Sequence, residues 1–133
     1  MNAILTRDVL NIRAMAYLNV DDNGSMFYFK DKKMKTLHKE DGPAMICKDG
    51  TRAWYLNGVL HREDGPAVEH AGGSKSWYLN GKLHRAGGPA VEGSTKTDIG
   101  WFVHGVRYSY EEYKQWYFRY VRTNTLRRSA EEL

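Results

Sequence analysis

Three histidines, His38, His61 and His84, have the residue type and the spacing that could do chemistry, each lying 23 residues from the next. Two stand three residues ahead of an aspartate, as His38/Asp41 and His61/Asp64, and an imidazole beside a carboxylate is what a general base requires. The third copy has Gly87 in the aspartate position and Ala86 in place of Glu63. A group present in triplicate that loses its partner in one copy reads as architecture: each histidine is expected to pack on an opposing tryptophan and hydrogen-bond a neighbouring turn. Metal sharing is disfavoured by distance. Equivalent residues of successive hairpins sit two strands, about 9–10 Å, apart, whereas zinc ligands must each come within about 2 Å of the ion. Gly72-Gly73 and Gly87-Gly88 lack the following helix N-terminus or Lys-Ser/Thr of a phosphate-binding loop. Cys47 is the single cysteine and has no CxxC partner. No catalytic residue, metal ligand or cofactor is assigned, and the expectation is a non-enzymatic protein.

The histidines belong to a repeated unit. Residues 54–69 read WYLNGVLHREDGPAVE, residues 77–92 read WYLNGKLHRAGGPAVE, and a looser copy ends LHKEDGPAM across 37–45. All three prolines, Pro43, Pro66 and Pro89, fall in step with the histidines. A period of this size signals a stacked repeat architecture. Asn57-Gly58 and Asn80-Gly81 lie between apolar strands, the strongest short-range signal for a type I′ hairpin, whose two turn positions need positive φ. The register follows: Leu56 opposite Val59, Tyr55 opposite Leu60, Trp54 opposite His61. Gly-Pro then ends the strand, a short strand at 67–69 follows, and a polar turn at 71–74 leads into the next copy. The residues that define the repeat are Trp54, Asn57, Gly58, His61, Pro66, Trp77, Asn80, Gly81, His84, Pro89 and Trp101.

The flanks differ. Leu5, Val9, Ile12 and Ala16 are at helical spacing, so residues 1–12 read as a short helix or irregular lead-in, followed by a strand at 13–20 and a turn at 21–24. Residues 25–53 form the first recognisable repeat, with Phe27-Tyr28-Phe29 in place of Trp54-Tyr55-Leu56 and about four extra residues that lengthen a basic hairpin tip at 30–35. A degenerate fourth hairpin covers 101–108. Ser109 and Glu112 form a capping box; a helix is predicted over 110–122, its stripe of Tyr110, Tyr113, Tyr117, Tyr120 and Val121, with Trp116 beside it, sealing the last edge or face of the sheet. The tail at 123–133 is expected to fray, with helical extension through Ser129-Ala130-Glu131-Glu132 as the alternative. The fold class is therefore mainly β, an antiparallel meander of 23-residue hairpin repeats capped by a C-terminal α-helix. The chain reads as one domain over 1–133: lead-in and strand at 1–24, repeats at 25–108, capping helix and tail at 109–133.

At 133 residues with 13% aromatic and 41% hydrophobic content, one modest core is affordable, and aromatic side chains suit a thin sheet with two half-wet faces. The mean hydropathy of -0.66 and the lack of a long apolar run point away from the membrane. The lone cysteine suggests a reducing compartment, the first residues lack a signal-peptide layout, and a cytoplasmic protein is expected. A net charge of +4 permits an acidic partner without requiring one.

The pattern W-Y-L-N-G-x-L-H-R-x-x-G-P-A-V-E resembles the MORN-type β-hairpin repeats, in the divergent form found in small proteins of tailed bacteriophages and some large viruses. The resemblance spans roughly 25–112 and includes the closing G-x-R-Y-S-x-E-E at 105–112. It departs from the better-known pattern in having His-Arg or His-Lys where His-Gly is usual, and in carrying Gly-Pro-Ala. MORN arrays serve as protein- or lipid-contact scaffolds, so the resemblance implies a binding module with no catalytic residues. The expected function is a small phage-encoded protein that binds and modulates or inhibits a host protein, such as a defence factor, in the host cytoplasm.

Candidate partner-binding residues are the basic tip, Lys30, Lys32, Lys33 and Lys35, and the C-terminal arginines, Arg119, Arg122, Arg127 and Arg128. The alternative is a nucleic-acid or phosphate-ligand binder using these charges. A monomer or an edge-strand dimer is expected, because the N-terminal sheet edge carries no obvious protection.

Overall fold

The computed structural model describes residues 4–8 and 11–131, with side chains from Ala16 onward. Among these residues the chain forms an antiparallel meander followed by one C-terminal helix. The first strands are β1 (Ile4–Asp8), β2 (Asn11–Val20) and β3 (Met26–Phe29). The end of the first repeat supplies β4 (Met45–Ile46) and β5 (Arg52–Ala53), and the two clean copies with their connecting turn supply β6 (Tyr55–Leu56), β7 (Val59–Leu60), β8 (Val68–Glu69), β9 (Lys75–Ser76), β10 (Tyr78–Leu79), β11 (Lys82–Leu83) and β12 (Val91–Glu92). The chain ends in β13 (Ile99–Val103), β14 (Val106–Tyr108) and α1 (Tyr110–Glu131).

Each repeat contributes to two ladders. Its outer strands join one ten-stranded sheet in the order β1-β2-β3-β4-β5-β8-β9-β12-β13-β14, while β6-β7 and β10-β11 stand as separate two-stranded hairpins. The break falls at Trp54 and Trp77, between β5 and β6 and between β9 and β10. The predicted register holds, with Tyr55 opposite Leu60 and Leu56 opposite Val59. Asn57 and Gly58 take φ of 50° and 82°, and Asn80 and Gly81 take 51° and 77°, the paired positive values that a type I′ turn needs. In the fourth hairpin His104 (φ 47°) and Gly105 (φ 84°) hold the same two positions.

The core is thin. Ala44, Ala67 and Ala90, the alanines after the three prolines, are completely buried, and Ala53 nearly so. The carbonyls of Ala67 and Ala90 accept the backbone N–H of Trp54 and Trp77 at 2.8 and 2.7 Å. Gly-Pro-Ala thus turns the chain and presents a side chain small enough for the tightest point of the sheet.

At the N-terminus the expected helix or irregular lead-in gives way to a strand. β1 pairs β2 in the register Leu5↔Tyr17 and Thr6↔Ala16, with an irregularity between Thr6 and Asp8, and β2 begins before the predicted strand. Residues 1–3 and 9–10 of that lead-in lie outside the described residues. The helical spacing of four apolar residues was a coincidence overridden by pairing with a neighbouring strand, as tertiary context commonly does. At the other end α1 outruns its predicted limit, continuing through Glu131. The segment expected to fray is helical as far as Glu131, and within it the hydroxyls of Thr125 and Ser129 donate to the carbonyls of Val121 and Thr125. The capping box is present, with Ser109 N–H donating to Glu112 Oε2 at 2.8 Å and Glu112 N–H to Ser109 Oγ at 3.2 Å.

Candidate functional site

The landmark histidines build the array. Nδ1 of His38 accepts the N–H of Asn57 at 2.9 Å, His61 that of Asn80 at 3.0 Å, and His84 that of His104 at 3.1 Å. Each histidine therefore holds the hairpin turn of the following repeat. The turns are fixed a second time by Gly58, Gly81 and Gly105, whose N–H groups donate to the carbonyls of Leu37, Leu60 and Leu83, each at 2.8 Å. His84 is buried, stacks on His104 at 4.3 Å and meets the edge of Trp116. Burial, with the nearby His104 charge adding, lowers its pKa below the ordinary histidine value.

The basic residue after each histidine anchors its own repeat. The guanidinium of Arg62 lies 3.9 Å over Trp54 and that of Arg85 lies 3.8 Å over Trp77, and Lys39 covers Tyr28 at 4.3 Å, cation–π contacts in each case. Arg62 Nη1 also donates to the Pro66 carbonyl at 3.1 Å and to Glu69 at 3.2 Å. Arg85 repeats this with Pro89 at 3.1 Å and Glu92 at 2.7 Å. The close seat explains a glycine: a Cβ on Gly65 would stand 2.8 Å from Arg62 Cζ, and one on Gly88 2.7 Å from Arg85 Cζ. Sequence reasoning marked the histidines and missed these arginines. Their signal was present as an arginine followed at fixed intervals by proline and glutamate, in both clean copies.

Asp64 accepts from Arg62 Nε at 2.9 Å, and this hydrogen bond holds its carboxyl below the usual range. The carboxylate of the His-x-x-Asp pattern is thus directed to the arginine. The histidines instead stand 3.7 Å from Glu40 and Glu63.

Between successive repeats these parts enclose equivalent grooves. In one, of about 760 Å³, the loop at 39–43 faces Trp54, Leu56 and His61. In the next, of about 600 Å³, the loop at 62–66 faces Trp77, Leu79 and His84. The third position, at loop 85–89 and Trp101, is filled by α1. The Tyr113 hydroxyl accepts the N–H groups of Gly87 at 2.8 Å and Gly88 at 3.1 Å and donates to the Arg85 carbonyl at 2.7 Å, while its ring lies 4.7 Å from Trp101. Tyr120, two turns on, lines the second groove; no α1 residue lines the first among the described residues. Ala86 and Gly87, the departures of the third copy, sit where the helix docks: Tyr117 Oη stands 3.6 Å from where a Gly87 Cβ would be, and Gly87 has φ of 97°. Of the predicted aromatic stripe, Tyr113 is buried and Trp116 and Tyr117 are half-buried, whereas Tyr110, Tyr120 and Val121 are exposed.

The basic candidates separate onto two elements. Lys32, Lys33 and Lys35 are exposed on the first-repeat tip. That tip is held by Asp31, which accepts from the N–H groups of Lys35 and Thr36 and is lowered in pKa, first by the Lys35 bond. Lys30 instead reaches Asn57 Oδ1 at 2.9 Å. Arg119, Arg122, Arg127 and Arg128 are exposed on α1, and at about 100° per residue they point to widely separated bearings around the axis. Cys47 is half-buried, and burial, then Asp49 and Asp21, push its thiol pKa up. No group of three or more His, Cys, Asp or Glu side chains among the described residues could hold a metal ion. No helix among them is long and apolar enough to cross a membrane.

No protein-family profile, curated protein or solved structure matches the chain. The likeness to MORN-type repeats rests on the motif and spacing given above.

Proposed function

We propose that the protein is a non-enzymatic interaction module whose repeat array presents a row of grooves to another protein. The observation that carries this reading is how the recurring polar groups are used. The histidine Nδ1 atoms hold neighbouring turns, and the arginines bind Pro carbonyls and Glu carboxylates of their own repeats. What the array leaves open is a shaped, aromatic-walled surface, the setting in which recognition contacts concentrate. The resemblance to repeat proteins of tailed phages directs the search for the partner to bacterial host proteins.

The test is an affinity pull-down of the tagged protein from bacterial lysate, with and without nuclease, read by mass spectrometry. A stoichiometric protein that survives nuclease is expected. Recovery that vanishes with nuclease would replace this reading with nucleic-acid binding through the exposed lysine tip, and that binding would weaken steeply with salt.

A further inference from the structure

We infer that the turn edge of the array, from the lysine tip at 30–36 along Val59, Lys82 and Val106, docks an acidic, aliphatic-bearing segment of a protein partner. The inference rests on the interaction-module reading and adds to it a second face and a partner chemistry, since none of these residues lines either groove.

The edge is continuous because each turn stacks on the next. Thr36 Cγ2 lies 3.5 Å from where a Cβ on Gly58 would stand, Val59 Cβ 3.6 Å from one on Gly81, and Lys82 Cβ 3.6 Å from one on Gly105. Along this ledge Val59 is 43% and Val106 58% exposed, and Lys82 between them is exposed as well.

The tip at the start of the ledge is fixed by its own backbone. Lys30 N–H donates to the Thr36 carbonyl at 2.9 Å and Met34 N–H to that of Asp31 at 3.0 Å. The two carboxylate oxygens of Asp31 accept the amides of Lys35 and Thr36, and Lys30 Nζ ties the tip to Asn57 Oδ1. Met34 is held at φ 54°, a conformation that a Cβ makes unfavourable, and such strain gathers where a surface is shaped for binding.

Charge defines the partner. Asp31 is the only carboxylate at 30–36, and the backbone engages it. Lys32, Lys33 and Lys35 join no ion pair among the described residues, whereas Lys39, Arg62 and Arg85 all do. The acidic residues of the same repeats, Glu40 and Asp41 or Glu63 and Asp64, follow the histidines at the other end of each hairpin. A fixed loop thus presents three cations without a counter-charge of its own. Charge alone would admit nucleic acid, but the aliphatic groups of Val59 and Val106 complement no phosphate chain. Nor does the edge offer a Trp, Tyr or Phe at 30–36, 57–59, 80–82 or 104–106 on which bases could stack. Carboxylates against the tip and aliphatic side chains against the valines satisfy the whole ledge, and its preformed shape lowers the ordering cost of binding.

The probe is a synthetic peptide of four Glu-Glu-Leu units, titrated into the ¹⁵N-labelled full chain. The expected result is saturable movement of the Lys32, Lys33, Lys35 and Val59 amide resonances, with loops 39–43 and 62–66 unmoved. Affinity should be at least about tenfold weaker (~1.4 kcal/mol) for the Lys32→Glu/Lys33→Glu/Lys35→Glu variant, which keeps its loop because Asp31 grips main-chain amides. A Val59→Ser/Val106→Ser variant should also bind more weakly. Equal binding of the peptide with serine in place of every leucine would reduce the edge to counterion attraction and overturn the proposal. Equal binding of a single-stranded oligothymidylate of matched charge would assign the edge to nucleic acid and overturn it too. So would shifts confined to the grooves, or no shift at millimolar peptide. If the triple lysine variant captures the same lysate protein as the wild type, the edge assignment fails while the interaction-module reading stands.

Discussion

His61 accepts the backbone N–H of Asn80 through Nδ1 at 3.0 Å, across a sequence separation of 19 residues. The contact joins the histidine of one repeat to the turn of the next, and it recurs between His38 and Asn57 and between His84 and His104. Repeat proteins derive their stability from such nearest-neighbour interfaces, and here one side chain per interface is dedicated to it.

Replacing His61 with alanine should cost on the order of 1–2 kcal/mol, the loss of a hydrogen bond with some packing. Urea unfolding measures the total, and amide exchange localises it. Asn80 should exchange faster while Asn57, held by His38, keeps its protection. Equal acceleration at both would mean that the histidine acts through general packing.

Gly65→Ala should destabilise by about 1–3 kcal/mol, because the new Cβ drives the Arg62 guanidinium from its seat over Trp54. Gly72→Ala is the matched control: its Cβ meets nothing within 4 Å and its φ lies outside the left-handed region. Thermal melts of the two variants should diverge clearly; coincident melts would show that the arginine re-seats without cost.

Tyr113→Phe removes one hydroxyl and leaves two N–H donors and a carbonyl without their partner. A loss of about 1–3 kcal/mol is expected, with faster exchange at Gly87 and Gly88. Unchanged exchange at those two amides would show that the phenol does not hold the loop.

His84 supplies the pH dependence. Burial, then His104, lowers its pKa from the ordinary 6.5, so below that value the unfolded chain binds the proton first. Stability from this site is complete above the ordinary histidine range and is lost as pH falls through it towards the folded value. Asp31, Asp49 and Asp64, lowered from 3.8 by hydrogen bonds led by Lys35, Thr51 and Arg62 respectively, act in a lower window. The urea midpoint should therefore fall between pH 7.5 and pH 5, and His84→Gln should shrink that fall. The same fall in the variant would remove His84 as its source.

The repeat, its register and its turns were legible because Asn-Gly and Gly-Pro are local signals whose physics does not depend on the rest of the chain. The capping box at Ser109 and Glu112 was legible for the same reason. What escaped were relationships between copies. Arg62 went unmarked until its contacts with Trp54, Pro66 and Glu69 were in view, and Gly65 read as a turn residue although the space above it belongs to that arginine. The lead-in failed because Leu5, Val9, Ile12 and Ala16 satisfy a helical period by accident, and no local signal announces that β1 will find β2. The grooves arise from translation of one unit past another, and sequence marks the unit without marking the space between units.

The seat of Tyr113 has a consequence for how long such a protein can be. Nothing in the interface between two repeats specifies how many there are, since each histidine reaches only the next turn. Growth stops where a copy has traded its acidic pair for Ala86 and Gly87 and so accepts the helix. The two-residue exchange is a stop sign written into an otherwise open-ended polymer of hairpins. Duplicating or deleting one period upstream of it changes the span of the array in fixed steps while leaving the terminator intact, so length can vary by recombination without redesign of either end.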